Sequence, residues 1–323
     1  MKHIWFSAFL LLELFGLGGC ATIPPPTRPA ETLTYLPESS PALPAHAPVL
    51  VITEADRPEN LPGTPSARYD VNGEETVFVD PQHATVYFHQ ESFTGRHGRF
   101  YHELYRVHFA RVPGWHLTMG KNGGVFILIT YDQRRRPVLI TTVHTCGCYL
   151  AFIPTSDMPA DAYPDDWPQT TQTVYGITLP ARLTVPEPYD PALRLQITFR
   201  SRTHRVMQVS FTRLTAARSR FGSRTYTLQP LPALRRLRLP DGRTTSFFHE
   251  HGGRKGYVKG AFKPLEMLLM GWWALDFRIG QDKRFGSPAE TGVILYTSLK
   301  PWHRSASNLW PLERFFAFWG WRL

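Results

Sequence analysis

Val125-Phe126-Ile127-Leu128-Ile129-Thr130-Tyr131 and Val138-Leu139-Ile140-Thr141-Thr142-Val143 stand on either side of Asp132-Gln133-Arg134-Arg135-Arg136-Pro137. Both apolar runs are short and rich in β-branched residues, and a charged segment ending in proline separates them. The stretch therefore predicts a hairpin buried on both faces. Outward from it, Leu193, Leu195, Ile197 and Phe199 alternate with Arg194, Gln196, Thr198 and Arg200, and Met207, Val209 and Phe211 continue the pattern. That two-residue period is the mark of a strand with one buried face. Pro240-Asp241-Gly242 punctuates a further hairpin between Leu237-Arg238-Leu239 and Thr245-Ser246-Phe247-Phe248. Helices are expected only over about residues 262–323, where Pro264 opens one through Trp272 and Trp273 to Leu275 and Pro311 opens another through Phe315 to Trp319. Met267–Trp273 and the aromatic tail from Trp310 to Leu323 are both expected to be buried. The predicted class is α+β, predominantly antiparallel β in sandwich-like sheets, with short C-terminal helices.

The N-terminus has a different character. Lys2, the apolar run Ile4–Leu12 and the small residues before Cys20 follow the three-part layout of a secretory peptide over residues 1–19, too short to span a bilayer. Leu17-Gly18-Gly19-Cys20 resembles the lipobox of bacterial lipoproteins, with Gly18 and Glu13 as departures from the usual pattern. The resemblance covers residues 1–20. It implies that Cys20 is acylated, becomes the mature N-terminus and anchors the protein to a membrane. In such lipoproteins an Asp after the cysteine retains the protein at the inner membrane; Ala21 and Thr22 here imply the outer membrane, with the chain facing the periplasm.

Eleven prolines lie between residues 21 and 65. Proline disfavours helix and central strand alike, so residues 20–66 are expected to be a lipidated stalk, reaching up to roughly 140 Å at ~3.1 Å per residue. The alternative is a strap along the domain with Val49-Leu50-Val51-Ile52 as an edge strand. Residues 67–323 are the expected globular domain, and most of the chain's nine Trp, 21 Phe and 13 Tyr fall within it to supply a core. No Walker loop, dinucleotide-binding glycine fingerprint, Gly-x-Ser-x-Gly elbow or His-Glu-x-x-His helix is present, which removes several large enzyme classes.

The chain carries a net charge of +10, and eleven arginines, with no Lys, Asp or Glu, fall between Pro191 and Pro240. On the strand reading Arg194, Arg200 and Arg202 share a face, with Arg236 and Arg238 placed likewise opposite Leu237 and Leu239. Such a face suits phosphate or carboxylate. For an exported protein the partners are anionic lipid, lipopolysaccharide or cell wall, and nucleic acid is excluded by compartment.

The run with most chemistry is His144-Thr145-Cys146-Gly147-Cys148-Tyr149. A continuing strand places His144, Cys146 and Cys148 on one face, the cysteine Cα atoms ~6.6 Å apart, and Gly147 permits a bend. Export favours a disulfide; as free donors the three suit copper or zinc. His249 and His251, before Gly252-Gly253, are the residues expected to complete such a site. The run shares residue types with the Ser-His-Gly-Cys run of L,D-transpeptidases but not their order, and Tyr149-Leu150 stands where those enzymes have arginine. The expected function is an outer-membrane-anchored periplasmic binding or envelope-maintenance module with a His/Cys metal or redox site; the alternative is a thiol-dependent enzyme acting on cell wall or oxidised proteins.

Overall fold

The structure, a computed structural model, describes residues 31–38, 44 and 46–323; Cys20, the lipobox and the first part of the expected stalk lie outside the described residues. The decisive hairpin is present. Strands β7 (Gly120–Tyr131) and β8 (Pro137–His144) pair antiparallel from Val125↔His144 to Tyr131↔Pro137. Asp132 shapes the turn by accepting hydrogen bonds from the backbone N–H groups of Arg134 (2.9 Å) and Arg136 (2.8 Å), which is why a charged segment reverses the chain so sharply.

Around this hairpin the chain builds one curled, mixed, 12-stranded sheet. In spatial order it runs β13 (Val206–Arg213), β12 (Leu193–Phe199), β2 (Val49–Thr53), β1 (Thr32–Pro37), β14 (Gly222–Pro230), β5 (Thr85–Gly95), β6 (Gly98–Val112), β7, β8 and β9 (Ala151–Pro154); β3 (Pro62–Tyr69) pairs with β6 and with β4 (Glu75–Asp80). The expected mostly β architecture with few short helices is present and most neighbouring strands pair antiparallel, but the sheet is mixed and curled on itself rather than sandwich-like: β1 with β14, β2 with β12 and β14 with β5 are parallel pairs. The ribbon β10 (Thr171–Val174)–β11 (Ile177–Pro180) bridges the two ends of the sheet. Its Gln172 Nε2 donates to Phe152 O of β9 at 2.6 Å, and Arg205, beside β13, donates to Tyr175 O at 2.7 Å.

The stalk is the second correction. β1 and β2 lie within the sheet, with Leu33, Val49, Leu50 and Ile52 buried, so residues 31–66 belong to the globular unit, which extends from Glu31 to Leu323. Among the described residues, Pro37 closes β1, Pro44, Pro48 and Pro58 lie in the connections, and Pro62 and Pro65 fall in β3, so none interrupts β1 or β2, where a missing N–H would break the ladder.

The concave face collects one core from both ends of the sheet, including Leu50, Tyr105, Phe109, Ile127, Ile140, Ile153, Ile197, Phe199 and Tyr226. The opposite face is covered as well, and that is why β7 and β8 show no polar side. Phe315 and Phe316 of helix α4 (Leu312–Phe318), together with Trp321 and Leu323, pack on Phe100, Leu104, Phe126 and Phe152, as expected for the aromatic tail. Phe247, Phe248 and Leu234 cover Val77, Val79 and Tyr87. Each fully buried side chain of this size contributes about 1.5–3 kcal/mol.

Two further expectations fail. β12 has no exposed polar face, because Gln196 and Thr198 are buried alongside Leu195 and Ile197. The helix from Pro264 stops at Met270 (α2, Pro264–Met270) and turns at Gly271, and Leu268, Leu269, Trp272, Trp273, Leu275 and Phe277 are exposed rather than buried. α2 buries Glu266 instead, against Lys263 and Asp282, so its charged side faces inward. The remaining helices are α1 (Leu214–Arg220) and α3 (Pro288–Thr291). Among the described residues no helix is long and apolar enough to cross a membrane.

Candidate functional site

β8 ends at His144, and the next four residues form a tight corner: Gly147 N–H donates to His144 O at 2.7 Å and His144 N–H to Cys148 O at 2.9 Å. Gly147 has φ +99°, and a Cβ there would run into Tyr296 O. Thr145 fixes the corner from behind, donating its N–H to Gly124 O at 2.9 Å and its hydroxyl to Asp282 Oδ1.

The cysteines pair as a Cys146–Cys148 disulfide with Cα atoms 5.7 Å apart, within the usual span of such bonds. The side-chain donors of His144, Cys146 and Cys148 all lie within 4.8 Å of one another. The sequence placed the three together but by another route: a turn, rather than strand alternation, brings them into reach.

Buried charges back the corner. Lys283 is inaccessible; its N–H donates to Thr145 O at 2.8 Å, its Nζ donates to Cys146 O at 2.6 Å, and the ammonium lies 4.3 Å from the centre of the Tyr296 ring. Burial pushes its pKa down to about 8, against the pull of Asp276 and Asp282. Lys263 stands 3.7 Å from Asp282 Oδ2. Burial works against its charge, but Asp282, Glu266 and Tyr149 outweigh burial and raise its pKa. Burial raises the Glu266 carboxyl, with Lys263 opposing. Burial holds His144 well below the ordinary histidine value, and the Lys263 charge adds to the effect. The imidazole is thus neutral at pH 7, and its Nε2 has no hydrogen-bond partner among the described residues. A buried neutral nitrogen with an uncommitted position beside two sulfurs fits a soft-metal donor set or a proton acceptor.

The other expected site residues lie elsewhere. His249 and His251 do not join the cluster: His249 pairs through its backbone with Tyr257, and the charges nearest its ring are Arg254, Lys259 and Arg278. His251 is exposed. The arginines do not form one face either. Arg194 donates to Pro191 O and Leu193 O at the start of β12, Arg200 and Arg202 sit in the turn between β12 and β13, and of the exposed pair Arg238 belongs to the separate ribbon β15 (Leu237–Arg238)–β16 (Thr244–Thr245) while Arg236 precedes it. Lys263, Glu266, Asp282 and Lys283 were not singled out in the sequence, where no local pattern marks them. Comparison with protein families, with curated proteins and with solved structures finds no match for this chain.

Proposed function

We propose that the protein is a lipoprotein, acylated at Cys20 and held on the periplasmic side of the outer membrane, that works as a binding or envelope-maintenance module through a Cys146–Cys148 thiol–disulfide couple. The observation that carries this reading is the bonded cysteine pair beside a neutral imidazole, with buried Lys263 and Lys283 close behind. Cationic surroundings stabilise a departing thiolate. The co-reactant is a dithiol of an exported protein. One of its thiolates attacks the Sγ of Cys148, the less buried residue of the pair, forming a mixed disulfide and releasing Cys146 as thiolate. The second thiolate then attacks its own sulfur in the mixed disulfide, closing the partner's disulfide and releasing Cys148. Two electrons pass to the pair, and the two protons lost by the dithiol end on Cys146 and Cys148.

A second reading rests on the clustering of the three donors within 4.8 Å. Once reduced, His144, Cys146 and Cys148 would hold copper or zinc, whose bond lengths place neighbouring ligand atoms roughly 3.5 Å apart. The exposed segment Leu268–Phe277, with Trp272 and Trp273 flanked by Arg278 and Arg304, supports a setting at a lipid headgroup boundary.

The test is to count alkylated thiols across a series of glutathione buffers, with metal analysis of the reduced protein. The proposal expects both cysteines to become reactive in one two-electron step and an exported-type peptide dithiol to be oxidised in proportion. A pair that remains closed under dithiothreitol, or that glutathione opens while the peptide dithiol is left unoxidised by the closed form, defeats it. One equivalent of copper or zinc on the reduced protein, lost in His144→Ala, would select the metal reading instead. Anchoring is checked separately: Cys20→Ala should move the protein from the membrane fraction to the soluble periplasm.

A further inference from the structure

On the outer face of β6, Arg106 is fully buried. Its Nη1 donates to Lys283 O at 3.0 Å, and the guanidinium carbon lies 5.1 Å and 5.2 Å from the ring centres of Phe126 and Phe248. Nε and Nη2 have no hydrogen-bond partner among the described residues. Those two N–H groups share one edge of the guanidinium, the edge that grips a carboxylate through two parallel hydrogen bonds. Burial lowers the Arg106 pKa to about 9, with Asp282 opposing, so the group is cationic at neutral pH.

Arg106 lines a cavity of about 170 Å³, together with Arg235, Arg284, Phe248, Phe285 and Trp310. The rim arginines already have acids: Arg284 is bonded to Glu290, and Arg235 lies 3.3 Å from Glu250 and 3.9 Å from Glu290. The deep arginine has no acid within hydrogen-bond reach among the described residues. At about 30 Å³ per liquid water, the cavity matches the volume of roughly six waters, the scale of a small organic acid and not of a polymer. Phe248, Phe285 and Trp310 in its lining suit a flat apolar body.

We propose that this cavity binds a small carboxylate with a planar apolar body, gripped by the Nε–H and Nη2–H of Arg106 and seated against Phe248 and Trp310. The site is distinct from the cysteine corner, although Lys283 touches both, through its carbonyl to Arg106 and its ammonium to Cys146 O.

Benzoate is the probe, with benzamide as its neutral isostere and inorganic phosphate as a non-planar anion, each titrated by calorimetry into the full chain in detergent. Benzoate should bind saturably with one equivalent, and benzamide and phosphate at least tenfold more weakly. Arg106→Lys keeps the charge but loses the fork and should weaken benzoate at least tenfold. Trp310→Ala, at the rim, tests the same seat without touching the buried charge and should weaken it several-fold. Absence of benzoate binding, equal binding of benzamide, tighter binding of phosphate, or wild-type affinity in a folded Arg106→Lys or Trp310→Ala protein would each overturn the assignment.

Discussion

Gly147 holds a backbone conformation that other residues adopt only under strain, and Tyr296 O fills the space a side chain would need. Gly147→Ala should therefore lower stability by about 1–3 kcal/mol or more, read as a reduced urea midpoint; an unchanged midpoint would show that the corner is free to move. The buried histidines make a second residue-scale prediction. Burial lowers the pKa of both His102 and His204 to about 3. As pH falls below ~6.5 the unfolded chain takes up their protons while the folded chain does not, so this stability is complete above ~6.5 and is lost progressively toward ~3, at about 1.4 kcal/mol per pH unit for each group. Urea midpoints should fall between pH 7.5 and pH 5.5, and His204→Gln, which retains a donor for Glu59 O, should make the fall shallower. An equally steep fall in that variant would assign the loss to other groups.

At the scale of elements, the N-terminal strands make the sharpest statement. β1 lies between β2 and β14, and β2 between β1 and β12. A chain beginning at Glu31 should unfold cooperatively, whereas one beginning at Ala67 should not fold at all; a cooperative transition in the shorter chain would mean that β12 and β14 pair without them. Leu50→Ala, fully buried in β2, should cost about 2–5 kcal/mol by the same urea measurement. The α2 segment makes a different claim. Trp272→Ser with Trp273→Ser should reduce co-sedimentation with anionic vesicles while leaving the urea midpoint unchanged, because both side chains are exposed; unchanged sedimentation would remove this segment from the membrane reading.

For the molecule as a whole, legibility followed the range of the interactions. The hairpin was readable because its apolar runs and its Asp132 turn lie within about twenty residues of each other, and Cys146 and Cys148 were readable because they are two apart. β1 and β2 were obscured by the surrounding prolines, which describe the connections and not the strands. The charged backing of the cysteine corner was not legible, since Thr145 meets Asp282 across 137 positions and lysine and aspartate ordinarily signify surface. They are buried here because opposite charges meet one another and the backbone, an arrangement that only the folded chain brings about. The stretch from Pro264 to Leu275 misled for the converse reason: Leu268, Leu269, Trp272 and Trp273 are exposed and Glu266 is buried.

The position of β1 also bears on how the molecule carries force. Tension transmitted along the chain that precedes Glu31 would enter lengthwise through a strand bonded on both sides, to β2 antiparallel and to β14 in parallel. Such a strand resists in shear, with its rungs strained together instead of peeling one at a time from an end. Pulled from its N-terminus, this protein should yield abruptly and at high force, when the sheet itself comes apart.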